Sequence, residues 1–542
     1  MQHVRRCVAP LVLALAAALA ASACGDGAVN RDSGVISIGI AEPKFLIPSS
    51  TTETEGHEVL SALFAPLVEY DAQFRPYEVA AASITTTDNR VWTIALQPGW
   101  TFHNGEPVTA DSYLNAWNAG AYGPNAHDGN YFYDKIEGYA DLNPIDASQP
   151  PAAKKLSGVT KRDDLTFEVT LGAPYVNFKS MLGYTAFLPL PLAAFEDVDN
   201  NVLAASYNES PIGQGPFKMK GVWRHDQVIE TVRFEDFQGP KVPSITGVQF
   251  RIYQQLTTMY QDMLAGQLDV VRRVPAEYIA SAAADLGDRF IQSPASTVQF
   301  LSFPTFDEKY SNPAIRRAIS MAIDREEIVQ TIFQGSQKAL RAFVSPIVPG
   351  YRENTCGEAC EFRPEEARAL FDQAGGAAAV NDLIEIAYNV DGAHKTWVDA
   401  TCNQIRAHLG VNCVGNPQPK FAELLTKLRA RQPVGAYRMG WVFDYPAMEN
   451  YLGPLFTTGG SSNYTGYSNP EFDRLLAAGD RAETPEEATR YYQQAEDLLA
   501  RDLPALPLRV EQNNSAHSTH VTNVEIDLFN RVVLDTIQIV EP

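Results

Sequence analysis

Short stretches in which apolar and polar residues alternate recur along most of the chain. The clearest are Val35–Ile40, Val91–Leu96, Leu165–Val169, Val248–Ile252 and Leu383–Ile386. This alternation predicts strands, because successive side chains of a strand point to opposite faces of its sheet. The stretches are widely separated, so other elements must lie between them.

Apolar residues between these strands recur at the spacing of a helix face. Three of the predicted helices begin alike, with Asn312, Asn469 or Thr484 directly before a proline. A side-chain acceptor at the N-cap followed by Pro is a favoured helix start, because the first helical N–H needs no partner. A fourth helix is predicted from Pro364 to a stop at Gly375. Strands and helices mixed along the whole length predict an α/β fold.

The N-terminal residues have the pattern of a secretory signal peptide. Arg5 and Arg6 precede an apolar run from Leu11 to Ala21, and small residues follow. A positive start, a short apolar run and small residues at the end predict a signal peptide over residues 1–23. The run is shorter than the roughly 20 apolar residues that a transmembrane helix needs.

The residues Ala21, Ser22 and Ala23 directly before Cys24 resemble the lipobox of bacterial lipoproteins. In that pattern the chain is cut before the cysteine, whose sulfur then carries a diacylglycerol; Ala21 stands where Leu is more frequent. The resemblance implies a lipidated Cys24, a tether over residues 24–34, and a location on the outer face of the cell membrane or in the periplasm. Ordinary secretion with a free cysteine is the alternative.

Four further cysteines remain once Cys7 leaves with the signal peptide and Cys24 takes lipid: Cys356, Cys360, Cys402 and Cys413. An even number in an oxidising compartment predicts disulfides. Three pairings are possible, and we predict the two local ones, the first cysteine with the second and the third with the fourth, because they close the shortest loops. A four-thiolate zinc site is the alternative, but these spacings fit no zinc ribbon or finger.

Length and charge narrow the range of partners. The chain has 542 residues, which is too long for one core, so at least two are expected. With 43 Lys and Arg against 65 Asp and Glu, the formal net charge is −22. Such a field repels phosphate backbones, and the sequence has no block of basic residues. We therefore do not expect nucleic acid as a partner.

The usual catalytic motifs are incomplete in this sequence. His57-Glu58 begins like a zinc-protease helix but lacks the second His one turn later. Gly213-Gln214-Gly215 is followed by Pro216, which has no N–H to offer a phosphate, and no third glycine follows at the spacing of a dinucleotide loop. A nucleophile elbow and a phosphate loop are also lacking. The sequence predicts a protein that is not an enzyme and needs no cofactor; an extracytoplasmic hydrolase is the alternative.

The stretch from Trp92 to Asp111, with Phe102-His103-Asn104-Gly105 at its centre, resembles the signature region of family 5 extracellular solute-binding proteins. These are the peptide-binding components of ABC importers. Further matches follow in the family's order at residues 213–217, 264–270, 315–325, 440–446 and 464–473. Each stretch alone also fits a turn, a core face or a helix cap, so the specificity lies in their joint order.

The resemblance implies a two-lobed fold of the periplasmic-binding-protein type II class. Two α/β lobes are joined by a hinge of two crossing segments, and a smaller subdomain is inserted in the first lobe. On this chain, lobe I corresponds to residues 35–78, 208–296 and 512–542, the inserted subdomain to 79–207, and lobe II to 297–511.

The same resemblance implies a function. The protein would be a monomeric lipoprotein that captures a peptide between its lobes and delivers it to ABC transporter permease subunits in the membrane. Asp444 stands where peptide-binding relatives place an Asp that pairs with the α-amino group of the ligand, with Trp441 and Tyr445 around it. A carboxylate in a closed cleft suits an ammonium, since charge-assisted hydrogen bonds strengthen away from water. A purely structural acid is the alternative for Asp444.

Further ligand contacts are expected from other parts of the chain. Arg438 occupies the place of a cation that meets a ligand carboxylate in relatives holding longer peptides, although strand alternation puts it opposite Trp441. Glu42, Phe45 and Tyr131 lie where the loop after the first strand and the inserted subdomain approach the cleft. Simple packing is the alternative for these three. Nickel complexes, haem and oligosaccharides are alternative ligands for the same fold, and Asp444 favours one that bears an amine.

Overall fold

The computed structural model describes residues 34–540, except residues 72, 145, 147, 148 and 391–393. The predicted signal peptide, Cys24 and nearly all of the predicted tether therefore lie outside the described residues. Within the described ranges, no helix combines the length and the apolar composition that crossing a membrane would require.

Strands and helices alternate along the whole described chain. The strands are β1 (Val35–Ile40), β2 (Val68–Tyr70), β3 (Pro76–Glu78), β4 (Ala81–Thr86), β5 (Val91–Leu96), β6 (Val159–Asp163), β7 (Thr166–Thr170), β8 (Phe195–Asp197), β9 (Val202–Leu203), β10 (Phe217–Met219), β11 (Val228–Arg233), β12 (Gly247–Ile252), β13 (Val270–Val271), β14 (Phe290–Ser302), β15 (Gln337–Ala339), β16 (Leu383–Asn389), β17 (Asn412–Gln418), β18 (Ala436–Trp441), β19 (Ala505–His517), β20 (Val521–Thr522) and β21 (Gln538–Ile539). All five predicted strands are confirmed.

The helices begin largely where capping residues predict. They are α1 (Thr54–Leu63), α2 (Ala110–Ala121), α3 (Tyr139–Leu142), α4 (Phe178–Met181), α5 (Leu256–Leu264), α6 (Ile279–Leu286), α7 (Glu308–Ser311), α8 (Pro313–Met321), α9 (Arg325–Ile332), α10 (Pro364–Gln373), α11 (Gly376–Ala379), α12 (Lys395–Leu409), α13 (Phe421–Arg429), α14 (Glu449–Phe456), α15 (Pro470–Asp480) and α16 (Pro485–Asp502). The side chains of Asn312, Asn469 and Thr484 accept N-cap hydrogen bonds at the starts of α8, α15 and α16, as predicted.

One large sheet runs through the molecule in the order β10-β11-β12-β1-β13-β19-β14-β18-β16-β17. β1 pairs in parallel with β12 and β13, and β16 pairs in parallel with β17 and β18. The long strands β14 and β19 are antiparallel to each other and join these two parallel groups. Their register shifts between Pro294 and Val298, where the ladder is interrupted. The two groups of strands are therefore connected through one locally weakened ladder.

The buried apolar residues form two main cores, one on each side of this ladder. The first core draws on residues 36–270 and 521–537, and the second on residues 298–510, with a few exceptions such as Tyr445 in the first. β14 and β19 contribute to both groups of strands. The chain thus has the two-lobed α/β architecture that the family resemblance implies.

A second sheet, β4-β5-β7-β6, packs with α2 and the segments up to residue 187 in the first core; we call residues 81–187 the small-sheet unit. Its interior is aromatic. The Tyr113 ring stacks on Phe167 at 5.6 Å between centroids, and the Trp117 indole N–H donates to the Phe187 carbonyl at 3.0 Å. The packing of these fully buried rings stabilises the small-sheet unit.

Two of the sequence motifs contact each other. The His103 N–H donates to the Gly213 carbonyl at 2.9 Å, and Gly213 N–H donates back to the imidazole Nδ1 at 3.1 Å. His103 Nε2 lies 3.2 Å from the Gly215 carbonyl, and burial lowers the pKa of the imidazole to about 4. A Cβ on Gly213 would overlap the Leu63 carbonyl oxygen at the end of α1. The motifs therefore join the small-sheet unit to the rest of the first core.

The second core contains the two disulfides of the described chain, Cys356–Cys360 and Cys402–Cys413. These are the two local pairs that the loop lengths favour. Among the described residues, no group of His, Cys, Asp and Glu side chains is arranged to hold a metal ion.

Candidate functional site

A cavity of about 840 Å³ lies between the small-sheet unit and the second core; we call it the first cavity. The small-sheet unit contributes Tyr131 and its neighbours, and the other wall comes from the end of β18, the loop after it, and helices α13 to α15. Three predicted ligand-binding residues, Asp444, Trp441 and Tyr445, line this wall. The structure thus brings four of the predicted residues to one cavity.

Asp444 is held in place by Asn450. The Asn450 side-chain amide donates to Asp444 Oδ2 at 3.1 Å, and its carbonyl oxygen accepts from the Asp444 N–H at 2.9 Å and from the Trp441 indole at 3.3 Å. Asn450 is itself buried in the first turn of α14. The arrangement fixes the carboxyl group and leaves its other oxygen without a donor among the described side chains.

Burial raises the pKa of the Asp444 carboxyl to about 7. The hydrogen bond from Asn450 opposes this rise, and the nearby Glu449 carboxylate adds to it. No positive charge is among the causes of this shift, and no Lys or Arg of the described chain forms an ion pair with the Asp444 carboxyl. The site is therefore suited to a positively charged ligand group.

Tyr445 connects the site to a network between the two walls. Its hydroxyl donates to Glu449 Oε2 at 2.6 Å. The Tyr175 hydroxyl, from the small-sheet unit, lies 2.7 Å from the Tyr445 hydroxyl and donates to the same Glu449 oxygen at 2.7 Å. Glu449 is 6% exposed. Two parts of the chain some 270 residues apart thus share one buried carboxylate.

A second set of contacts follows along the same edge. The Asn177 side-chain amide donates to the Tyr492 hydroxyl at 3.1 Å, and that hydroxyl donates to Asp480 at 2.9 Å. The Val176 N–H donates to the Asp480 carbonyl at 2.9 Å. The walls of the first cavity are therefore in contact at one edge.

Replacing Tyr175 by Phe is expected to loosen this edge. The change removes one hydrogen bond to a buried carboxylate, which stabilises the contact by about 1–2 kcal/mol. We expect a larger radius of gyration in small-angle X-ray scattering of the ligand-free protein and a peptide affinity lowered several-fold. Tyr113→Phe is the matched control, because the Tyr113 hydroxyl has no hydrogen-bond partner among the described atoms. Identical scattering for the two variants would contradict the role given to Tyr175.

A second cavity, of about 460 Å³, lies on the opposite face of β18. Arg438 and Val442 line it, together with Ile40 at the end of β1, Ala41 directly after it, and residues 295–297 of β14. The Arg438 guanidinium donates to Asn389 Oδ1 at 2.7 Å and lies 4.5 Å from the centre of the Phe421 ring. Strand alternation therefore separates Arg438 from Trp441, as the sequence pattern predicts.

Two of the predicted site residues, Glu42 and Phe45, lie outside the two cavities. The Glu42 carboxylate accepts from the Asp226 N–H at 3.0 Å and pairs with His225 at 2.7 Å. The Phe45 ring lies 5.1 Å from the Lys44 ammonium. Neither Glu42 nor Phe45 lines the first or the second cavity. Tyr131 lines the first cavity and is 44% exposed.

Several residues of the first cavity were not anticipated. Asn450 and Glu449 follow the Asp444 loop closely in sequence, and their place at the start of a helix directly after the motif is a usable signal. Asp134 follows the aromatic run at Tyr131, but no local pattern marks it. Asp480 comes from a distant helix, so its place in the cavity depends on how the cores pack.

Comparison with known proteins gives a consistent result. The family described as bacterial extracellular solute-binding proteins, family 5, matches residues 75–463. The oligopeptide-binding protein OppA of Bacillus subtilis is 25% identical over 520 residues, covering 92% of this chain and 93% of the relative. The dipeptide-binding protein DppE of the same organism is 28% identical over 433 residues, covering 78% of this chain and 76% of the relative.

Solved structures agree on the fold. The structure of Haemophilus influenzae OppA in complex with RPPGFSPFR superposes with a TM-score of 0.76 at 24% identity, covering 94% of this chain and 100% of that one. The substrate-binding protein CtaP of Listeria monocytogenes superposes with a TM-score of 0.80 at 20% identity, with the same coverage. At these identities the structures support the architecture.

Proposed function

Because the chain belongs to family 5 of the bacterial extracellular solute-binding proteins, we propose that it captures peptides by their free α-amino group in the first cavity. In this proposal Asp444 binds the ammonium, and Trp441, Tyr445 and Tyr131 form the walls around the first peptide residue. The relatives OppA and DppE carry names of oligopeptide and dipeptide binding. The protein acts as a receptor rather than an enzyme and needs no cofactor.

The observation that carries the proposal is the Asp444 carboxyl. It is fixed by Asn450 in a cavity large enough for a short peptide, and it has no cationic side chain of its own within ion-pair distance in the described chain. An α-ammonium would supply that cation and two or three hydrogen-bond donors. A sugar or haem would leave the carboxylate buried without its charge partner, which costs free energy.

The second cavity extends the proposed site to the other face of β18. Arg438 is the candidate for a ligand carboxylate there, and Arg272 and Arg273 line the same cavity. Glu511 and Glu55 also line it, so the local charge is mixed. The proposal assigns Glu42 and Phe45 no peptide contact in this arrangement of the cores.

Delivery to a membrane follows from the family role. We infer that β14 and β19 act as the hinge and that a peptide touching both cores shifts the population to the closed form, which an ABC importer permease then recognises. The lipid on Cys24 would hold the protein at the outer face of the membrane. A lipid anchor keeps the receptor near its permease, which raises their effective concentration.

Native mass spectrometry of residues 25–542 tests the proposal. We expect co-purified peptides to be released on mild unfolding, and calorimetric titration with peptides of two to eight residues to show one site per chain. A bound metal chelate, haem or sugar, or no heat with any peptide, would overturn the proposal while leaving the fold intact.

A further inference from the structure

The first cavity has more carboxylates than one α-ammonium requires. Asp134, Glu449 and Asp480 line it together with Asp444, and the cations that line it are Lys135 and the exposed Arg429. In the described part of the chain, no Lys or Arg nitrogen forms an ion pair with any of these four carboxyl groups. Two negative charges would remain if all four were ionised and both Lys135 and Arg429 were charged. A ligand with a single ammonium would neutralise only one of them.

Glu449 is the clearest sign that a cation is missing. Its side chain is 6% exposed, and both tyrosine hydroxyls donate to Oε2. Oε1 accepts no hydrogen bond from a described donor. It lies next to Gly453, and Glu449 and Gly453 both line the cavity. This oxygen is therefore available to accept a hydrogen bond from a ligand in the cavity.

Lys135 alone cannot neutralise all four carboxylates of the first cavity. Its ammonium lies 5.5 Å from the centre of the Tyr175 ring and interacts electrostatically with Asp134, Glu449 and Asp480. Burial and the neighbouring Glu449 nevertheless raise the pKa of Asp480 to about 7. Burial also raises the pKa of Asp134, so both aspartates hold a proton more readily than an exposed carboxyl does.

Apolar side chains line the first cavity together with the carboxylates. Met181, Leu455 and Leu476 line the same cavity and are buried. Such a surface suits the methylene stem of a long basic side chain, whose charged end continues past it to a polar group. Shorter cations would reach the carboxylates without covering this surface.

We propose that the first cavity selects peptides whose first residue has a basic side chain, with the α-ammonium on Asp444 and the side-chain cation among Glu449, Asp480 and Asp134. This inference rests on the proposed function and adds a substrate class to it. The first residue is assigned because Glu449 directly precedes Asn450, which holds Asp444, so the carboxylates adjoin the ammonium site. Both cations could also belong to a free diamine, which the experiment separates.

Titration calorimetry with three tripeptides tests the proposal: Lys-Ala-Ala, its norleucine analogue with the same stem and no charge, and Ala-Lys-Ala. We expect Lys-Ala-Ala to bind at least tenfold more tightly than either other peptide. Asp480→Asn and, separately, Asp134→Asn should reduce the ratio between the affinities for Lys-Ala-Ala and for the norleucine peptide several-fold. Using both variants keeps the test valid if one does not fold.

Asp128→Asn is the matched control. Asp128 lines the same cavity, but its carboxylate already pairs with Lys44 at 2.5 Å, so the preference should not change. Equal binding of the lysine and norleucine peptides would overturn the inference and leave the proposed function standing. Tight binding of 1,5-diaminopentane with no binding of any peptide would overturn both.

Discussion

The variant Asp444→Asn is expected to bind peptides about 100-fold more weakly than the wild type. Asn keeps the size of the side chain but removes the charge that faces the α-ammonium. Losing one partner of a buried charge pair costs about 3 kcal/mol, or about 100-fold in affinity. Calorimetry with a tripeptide and its N-acetylated form measures this effect directly.

Acetylation provides the internal control. The acetylated peptide has no ammonium, so it should bind the wild type and Asp444→Asn with similar, weak affinity. The two changes together should therefore cost little more than either alone. Asp473→Asn is the control for altering another carboxylate of the same cavity. Asp473 belongs to α15, outside the Asp444 loop, and its side chain already accepts from the Thr458 N–H. Full additivity of acetylation and Asp444→Asn would contradict direct recognition.

The raised pKa of Asp444 determines the direction in which peptide affinity should change with pH. Burial raises the pKa of Asp444 to about 7, so the empty site is protonated below that pH. Binding an ammonium requires the carboxylate, and the proton must leave first. Affinity should therefore fall as pH drops below about 7, by up to tenfold per unit. In Asp444→Asn this part of the pH dependence should disappear, whereas Asp480, with a similarly raised pKa, remains to titrate.

Local sequence patterns predicted the strands and helix starts well, because each is determined by residues that are close together in the chain. β1 and β5 have the bounds that their alternation predicts, and the cap residues Asn312 and Asn469 make the expected hydrogen bonds. Alternation also placed Arg438 correctly on the face opposite Trp441. These features need no information about distant parts of the chain.

The candidate site was only partly predictable, because its two walls come from different parts of the fold. Asp444, Trp441 and Tyr445 belong to one motif, so a single stretch of sequence contains them. Asp134 reaches the cavity, and the Tyr175 hydroxyl reaches Glu449, only through packing between the small-sheet unit and the second core. Glu42 illustrates the converse, since its carboxylate pairs with His225, 183 residues away. Contacts between residues so far apart in the sequence depend on the tertiary fold, which local patterns do not predict.

The stretch at residues 315–325 shows that a family motif can be structural. It ends at Asp324 and Arg325, where the Asp324 side chain caps α9 and Arg325 is 4% exposed. The Arg325 guanidinium donates to the carbonyls of Pro507 at 2.8 Å, Ser320 at 3.2 Å and Cys360 at 3.2 Å. It thus joins β19, α8 and the segment of the first disulfide. Burial lowers its pKa to about 9, so it remains charged at neutral pH.

Replacing Arg325 by Met is therefore expected to destabilise the second core by about 3–5 kcal/mol, because three buried carbonyls each lose a hydrogen bond from a charged donor. For a folding unit of this size the loss corresponds to a fall in melting temperature of roughly 10 °C. Differential scanning calorimetry measures it, with Arg490→Met as the control because Arg490 is an exposed arginine of α16. Arg325→Lys keeps the charge but cannot reach all three carbonyls, so it should fall in between. Equal melting temperatures for Arg325→Met and Arg490→Met would show that these carbonyls find other donors.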